Sequence, residues 1–118
     1  MSLDNNLKKI TAIIQAYKLD DVRDALQPLG IGGLTVQEVM GYGRQRGHNE
    51  FYRGTEYRVE FVPKVKLELI ILETLAPEAI AVIQKSAHTG RIGDGKIFVE
   101  PIEEVVRIRT GERGSDAV

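Results

Sequence analysis

Residues 65–87 read VKLELIILETLAPEAIAVIQKSA, and a change of rhythm within them decides the fold. Across 65–72, Val65, Leu67, Leu69 and Ile71 alternate with Lys66 and Glu68. Successive side chains of a strand point to opposite faces, so this alternation predicts a strand with one buried face. Around 77–87 the period lengthens and predicts a helix. Ala76, Ala79, Ile80, Ile83 and Ala87 fall three and four residues apart, which places them on one stripe of a helix. Pro77 suits a first turn, where the amide hydrogen has no helical partner to lose.

The same order stands upstream. Residues 8–16, KKITAIIQA, are β-rich and largely apolar, as a strand inside a sheet requires. Leu19, Val22, Ala25, Leu26 and Leu29 follow at helical spacing, with Asp20, Asp21 and Asp24 toward the N-terminal half, where carboxylates suit the helix dipole. Pro28 is expected to end or distort this helix near its last turn, with Gly30 as the stop. Residues 34–42 alternate again, Leu34, Val36 and Glu38 against Thr35, Gln37 and Val39. Residues 58–72 form a strand interrupted by Pro63. After the second helix come a tight glycine loop at 90–95, a strand at 96–99 and a short final strand at 105–108. The order β-α-β, β-α-β predicts an α+β ferredoxin-like sandwich. Its helices cover one sheet face. The other face, read as apolar, calls for cover by self-association.

Bulk properties narrow the function. A chain of 118 residues fits one domain, able to bury roughly 60–70% of its unfolded surface. Its 16 Lys+Arg and 17 Asp+Glu leave a net charge of −1, so no global basic charge points to nucleic acid or an anionic membrane. Without cysteine there is no disulfide or thiolate metal site, and a cytoplasmic location is the natural expectation. Residues 1–6 read as a flexible polar tail with no signal peptide. The apolar run at 67–72 is too short to span a bilayer.

The richest chemistry lies in 89–98, TGRIGDGKIF. Gly90 and Gly95-Lys96 keep the G-x-x-x-x-G-K spacing of a P-loop, yet Ile97 stands where that motif needs a magnesium-binding hydroxyl, and a strand follows where a P-loop feeds a helix. A P-loop NTPase is therefore disfavoured. Closely spaced glycines still allow amides to converge on an anion, and Lys96 adds positive charge. The plain alternative is a glycine turn between helix and strand. Arg107 and Arg109, two apart on the expected last strand, would face the same way and hold phosphate with Lys96, or else pair with Glu103, Glu104 or Glu112. Asp94 is either a base or a turn former.

Residues 41–56 are polar, carry four glycines and show no apolar period. A loop of this length in a compact domain is uncommon and usually functional or disordered. Phe51, Tyr52 and Tyr57 cluster there beside Arg44, Arg46 and Arg53; they either dock on a partner or fold back on the body. His48 and His88 are too isolated for a metal site.

Together these segments resemble the PII nitrogen-regulatory signal proteins. The resemblance runs from about Lys8 to Val118, anchored by GYGRQRGHNEFYRGTEYRVEFVPKVKLE and TGRIGDGKIFVEPIEEVVRIRTGE. It implies a homotrimer with sheets facing inward and a cleft for ATP or ADP between neighbours. One domain spans 7–118, with a long T-loop at 43–61, a phosphate loop at 88–96 and a C-terminal loop and tail at 108–118. By position, Gly93, Asp94, Gly95, Lys96, Arg107 and Arg109 match the family's phosphate-binding residues. Arg44 matches another nucleotide contact, and Ile13 and Thr35 match residues near the base. Gln45 matches a residue that helps hold Mg²⁺ when 2-oxoglutarate binds, and Gly47 and Lys64 complete that effector's set. Tyr57 matches a tyrosine that a nucleotidylyltransferase modifies in many members. Cyanobacterial relatives phosphorylate a serine where Thr55 stands here, which leaves Tyr57 the better candidate.

The resemblance implies a non-enzymatic sensor of ATP, ADP and 2-oxoglutarate. Its partners would be an ammonium channel or nitrogen-assimilation enzymes and regulators, with no direct nucleic-acid role and membrane contact only through a partner. Two rivals remain: a small ATP-hydrolysing or phosphotransfer enzyme using Asp94, and a nucleic-acid module using Arg44, Arg46 and Arg53.

Overall fold

The structure, a computed structural model, describes residues 6–31, 33–41 and 61–118. Within it the chain runs β1 (Leu7–Gln15), α1 (Leu19–Leu26), β2 (Thr35–Gly41), β3 (Val62–Leu72), α2 (Ala76–Ala87) and β4 (Lys96–Ile102). The four strands form one sheet in the order β2-β3-β1-β4, with every neighbouring pair antiparallel. This is the ferredoxin-like α+β sandwich that the two period changes predict.

Register explains where the core sits. Ile10 lies opposite Leu69, Ala12 opposite Leu67 and Ile14 opposite Val65. All six are buried and form one cluster with Val22 and Leu26 of α1 and Ala76, Ala79, Ile83 and Ala87 of α2. Each large aliphatic side chain so buried stabilises the fold by roughly 1.5–3 kcal/mol relative to exposure. The alanines on α2 let that helix approach the sheet closely.

The opposite face is less apolar than the sequence reading held. Lys9 lies 3.4 Å from Glu68 and 3.9 Å from Glu100, and the register places Ile13 and Phe98 beside them. Polar pairs therefore separate the apolar side chains on this face.

Two further expectations need correction. Pro63 does not interrupt its strand; it is the second residue of β3. Pairing of β3 with β1 ends at Lys64↔Gln15, while pairing with β2 continues to Val62. Beyond Lys64 the β1 side of β3 has no ladder for a missing amide hydrogen to spoil. Residues 105–108 are not a strand either. Only Val106 bridges, to Arg113. The chain reverses because Gly111 takes a left-handed φ of 77° and its amide donates to the Arg107 carbonyl at 2.8 Å. In the first helix, Pro28 acts as expected: α1 stops at Leu26, a 3-10 turn spans Gln27–Leu29, and Gly30 caps it at φ 80°.

Candidate functional site

The loop after α2 is built by one carboxylate. Asp94 accepts hydrogen bonds from the amide of Thr89 at 2.8 Å, the Thr89 hydroxyl and the amide of Gly90 at 2.9 Å. The Arg91 amide in turn donates to Thr89 Oγ1 at 3.1 Å. These donors favour the ionised form, and the Thr89 hydrogen bonds foremost hold the Asp94 carboxyl down from 3.8 to about 2. Such a group is too weak a base for proton abstraction near neutral pH. Asp94 is thus the turn former of the two readings, and Thr89 is the partner that sequence reasoning missed. Its only signal was a hydroxyl residue at the helix end, five positions before an aspartate.

Gly95 carries the closest approach. Its φ is +100°, and a Cβ there would lie 1.7 Å from the Ile13 carbonyl oxygen. Only glycine lets the loop lie against β1 at this point. The next residue, Lys96, pairs with Ile13, so Ile13, Gly95 and Lys96 meet through backbone. Gly93, at φ +103°, faces the side-chain ends of Gln15 and Lys64, and the Lys64 ammonium donates to its carbonyl. A cavity of about 300 Å³ opens beside this loop, lined in part by Ile13, His88, Asp94 and Lys96.

The remaining candidates lie elsewhere. Thr35 and Arg107 line a separate cavity of about 700 Å³, together with Gly30, Leu72 and Val118. Thr35 pairs with Glu68, four residues along β3 from Lys64, or about 13 Å at the strand rise. Arg107 forms an ion pair with Glu112 at 3.2 Å, one of the alternatives left open above. Arg109 sits in the turn at 108–110, so the expected common facing of Arg107 and Arg109 on a strand does not hold. Arg44, Gln45, Gly47, Thr55 and Tyr57 lie outside the described residues. Among the described residues no group of three metal-ligating side chains gathers, and no helix is long and apolar enough to cross a membrane.

The candidate residues among those described thus fall into two groups, one around the 88–96 loop and one near Thr35 and Arg107. A family model described as nitrogen regulatory protein P-II matches residues 7–112. The chain belongs to the nitrogen regulatory protein P-II family. Its P-II relatives include the protein of Azospirillum brasilense, 62% identical over 112 residues, which are 95% of this chain and all of that one. The Rhodospirillum rubrum protein is 61% identical over the same shares, and that of Pasteurella multocida 55%. Among solved structures, Arabidopsis thaliana PII bound to citrate superposes with a TM-score of 0.79 at 38% identity, covering 96% of this chain and 92% of that one. As a P-II protein the chain is a regulator in nitrogen signalling rather than an enzyme.

Proposed function

We propose that this P-II chain is a cytoplasmic homotrimeric sensor that binds ATP or ADP between subunits and reads 2-oxoglutarate at the same cleft. One observation carries the reading: Ile13, Lys64, Gly93, Gly95 and Lys96 come together around a glycine loop, while Thr35 and Arg107 line a different cavity. A second subunit placing its Thr35, Arg107 and Arg109 against the 88–96 loop of the first would complete a polyphosphate site. The parts fit such a ligand. The Lys64 ammonium bonds the loop at Gly93, Lys96 follows it directly, and the backbone at Gly95 lies too close to Ile13 for any side chain. The amides of Thr89, Gly90 and Arg91 are engaged within the loop, so residues 92–95 are the ones to serve phosphate oxygens. The Arg107–Glu112 pair is exposed and weak, so a phosphate can displace the carboxylate.

In this reading Arg44 adds a further cation. Gln45 and Gly47 bind 2-oxoglutarate with Lys64, and Mg²⁺ is held by the nucleotide, the effector and Gln45. Bound ligand shifts the population of the T-loop at 43–61 toward one arrangement, which then docks on or leaves an ammonium channel or a nitrogen-assimilation enzyme. Tyr57 is the position for modification by a nucleotidylyltransferase.

Titration calorimetry of 2-oxoglutarate, with and without Mg-ATP, tests the scheme. Binding is expected only with nucleotide present. Equal affinity in both conditions overturns the coupled site.

A further inference from the structure

Lys64 does more in this structure than offer a charge. It stands at the last rung shared by β1 and β3, opposite Gln15. Its ammonium donates to the Gly93 carbonyl at 2.5 Å, spanning 29 residues of sequence. The stem is seated too. A Cβ placed on Gly41 would lie 3.3 Å from Lys64 Cγ and 3.9 Å from Cε. Gly41 is the last residue of β2. One side chain therefore touches the end of β2 and the glycine loop between α2 and β4. Gly93 carries no Cβ and has left-handed backbone, so its own chain restrains it little, and a contact from outside is needed to orient its peptide.

We propose that Lys64 is a positioning residue for nucleotide binding. Its seat on Gly41 aims the ammonium at the Gly93 carbonyl, and that bond turns the following peptides of the 88–96 loop toward the polyphosphate before any effector arrives. The inference rests on the nucleotide reading above, with Lys64 acting through Gly93 rather than on the nucleotide. It also ties the loop to the end of β2. A shift of Gly41 moves the stem, and with it the grip on Gly93.

The chain contains no cysteine, which permits a clean test on the whole protein. Lys64→Cys removes the ammonium, and alkylation with 2-bromoethylamine restores one on a stem of the same length. Affinity for Mg-ATP is measured by calorimetry without 2-oxoglutarate. Lys64→Cys is expected to bind about tenfold more weakly, and the alkylated protein to recover most of that loss. Gly41→Ala keeps the charge and moves only the stem. It is expected to weaken ATP severalfold in the native background and not at all in Lys64→Ala. The carbonyl ¹³C resonance of Gly93 in ligand-free protein should shift in Lys64→Cys and return on alkylation. An unmoved Gly93 resonance, or additive effects of Gly41→Ala and Lys64→Ala, overturns the positioning role while leaving the nucleotide reading intact. Failure of the native protein to bind ATP overturns both.

Discussion

Asp94 shows how one side chain can look catalytic in sequence and prove architectural in space. Both carboxylate oxygens accept donors from Thr89 and Gly90. With its folded pKa lowered from 3.8 to about 2, its contribution to loop order is complete above the unfolded value and is lost as pH falls through the folded one. Amide exchange at Thr89 and Gly90, followed by NMR, should stay protected at pH 5 and lose protection between about pH 4 and 2. Loss already at pH 5 would contradict the assignment. Gly95 makes the complementary point. Gly95→Ala combines left-handed backbone with a Cβ 1.7 Å from the Ile13 oxygen. The backbone alone costs roughly 1–2 kcal/mol, and the collision adds to it. Thermal unfolding should fall by at least several degrees and ATP binding should be lost together; an unchanged midpoint would refute the close approach. Tyr57→Phe, by contrast, should leave effector affinities unaltered in calorimetry, because its proposed role is modification.

At the scale of elements, the periodic segments were the legible ones. The alternation of Val65, Leu67, Leu69 and Ile71 is the buried pattern of β3, and the alanine–isoleucine stripe is the buried face of α2. Both follow from burial on one side, which writes its period into composition. Leu67 lies fully buried at the centre of the sheet, so Leu67→Ala should cost about 2–5 kcal/mol, read from denaturant unfolding. A loss below 1 kcal/mol would mean that the core is packed otherwise. Pro63 and the segment 105–108 depart from expectation for a shared reason. Whether a proline breaks a ladder depends on which side has a neighbour, and sequence does not carry that. Likewise Val105-Val106-Arg107-Ile108 has strand-like composition, yet Gly111 and the Thr110–Glu112 contact at 2.9 Å turn the chain back, so Val106 bridges to Arg113 instead of joining the sheet. At the site, glycine spacing exposed the loop, but Thr89 and the Lys64–Gly93 bond join residues whose pairing has no local signal.

For the whole molecule, the proposed nucleotide site needs more than one chain, because its candidate residues divide between two cavities. Light scattering on the eluted protein should report three chain masses, and a monomer at working concentration would leave the two halves unjoined. The mixed character of the open sheet face fits such an assembly: the Lys9–Glu68–Glu100 cluster accompanies Phe98, which remains 49% exposed in the single chain. If copies meet over this face, Phe98→Asp should lower the measured mass toward one chain without unfolding the subunit, since Phe98 lies outside the core cluster.

The rung Gly41↔Val62 has a mechanical meaning. Whatever shape residues 42–60 take, their path departs and returns through neighbouring strands whose Cα atoms at that rung stand about 5 Å apart. A load entering the sheet at that rung is therefore shared between β2 and β3, which pair antiparallel from there to Thr35↔Glu68. On its other side β3 is held by nine paired positions with β1, so that load passes on into the middle of the sheet.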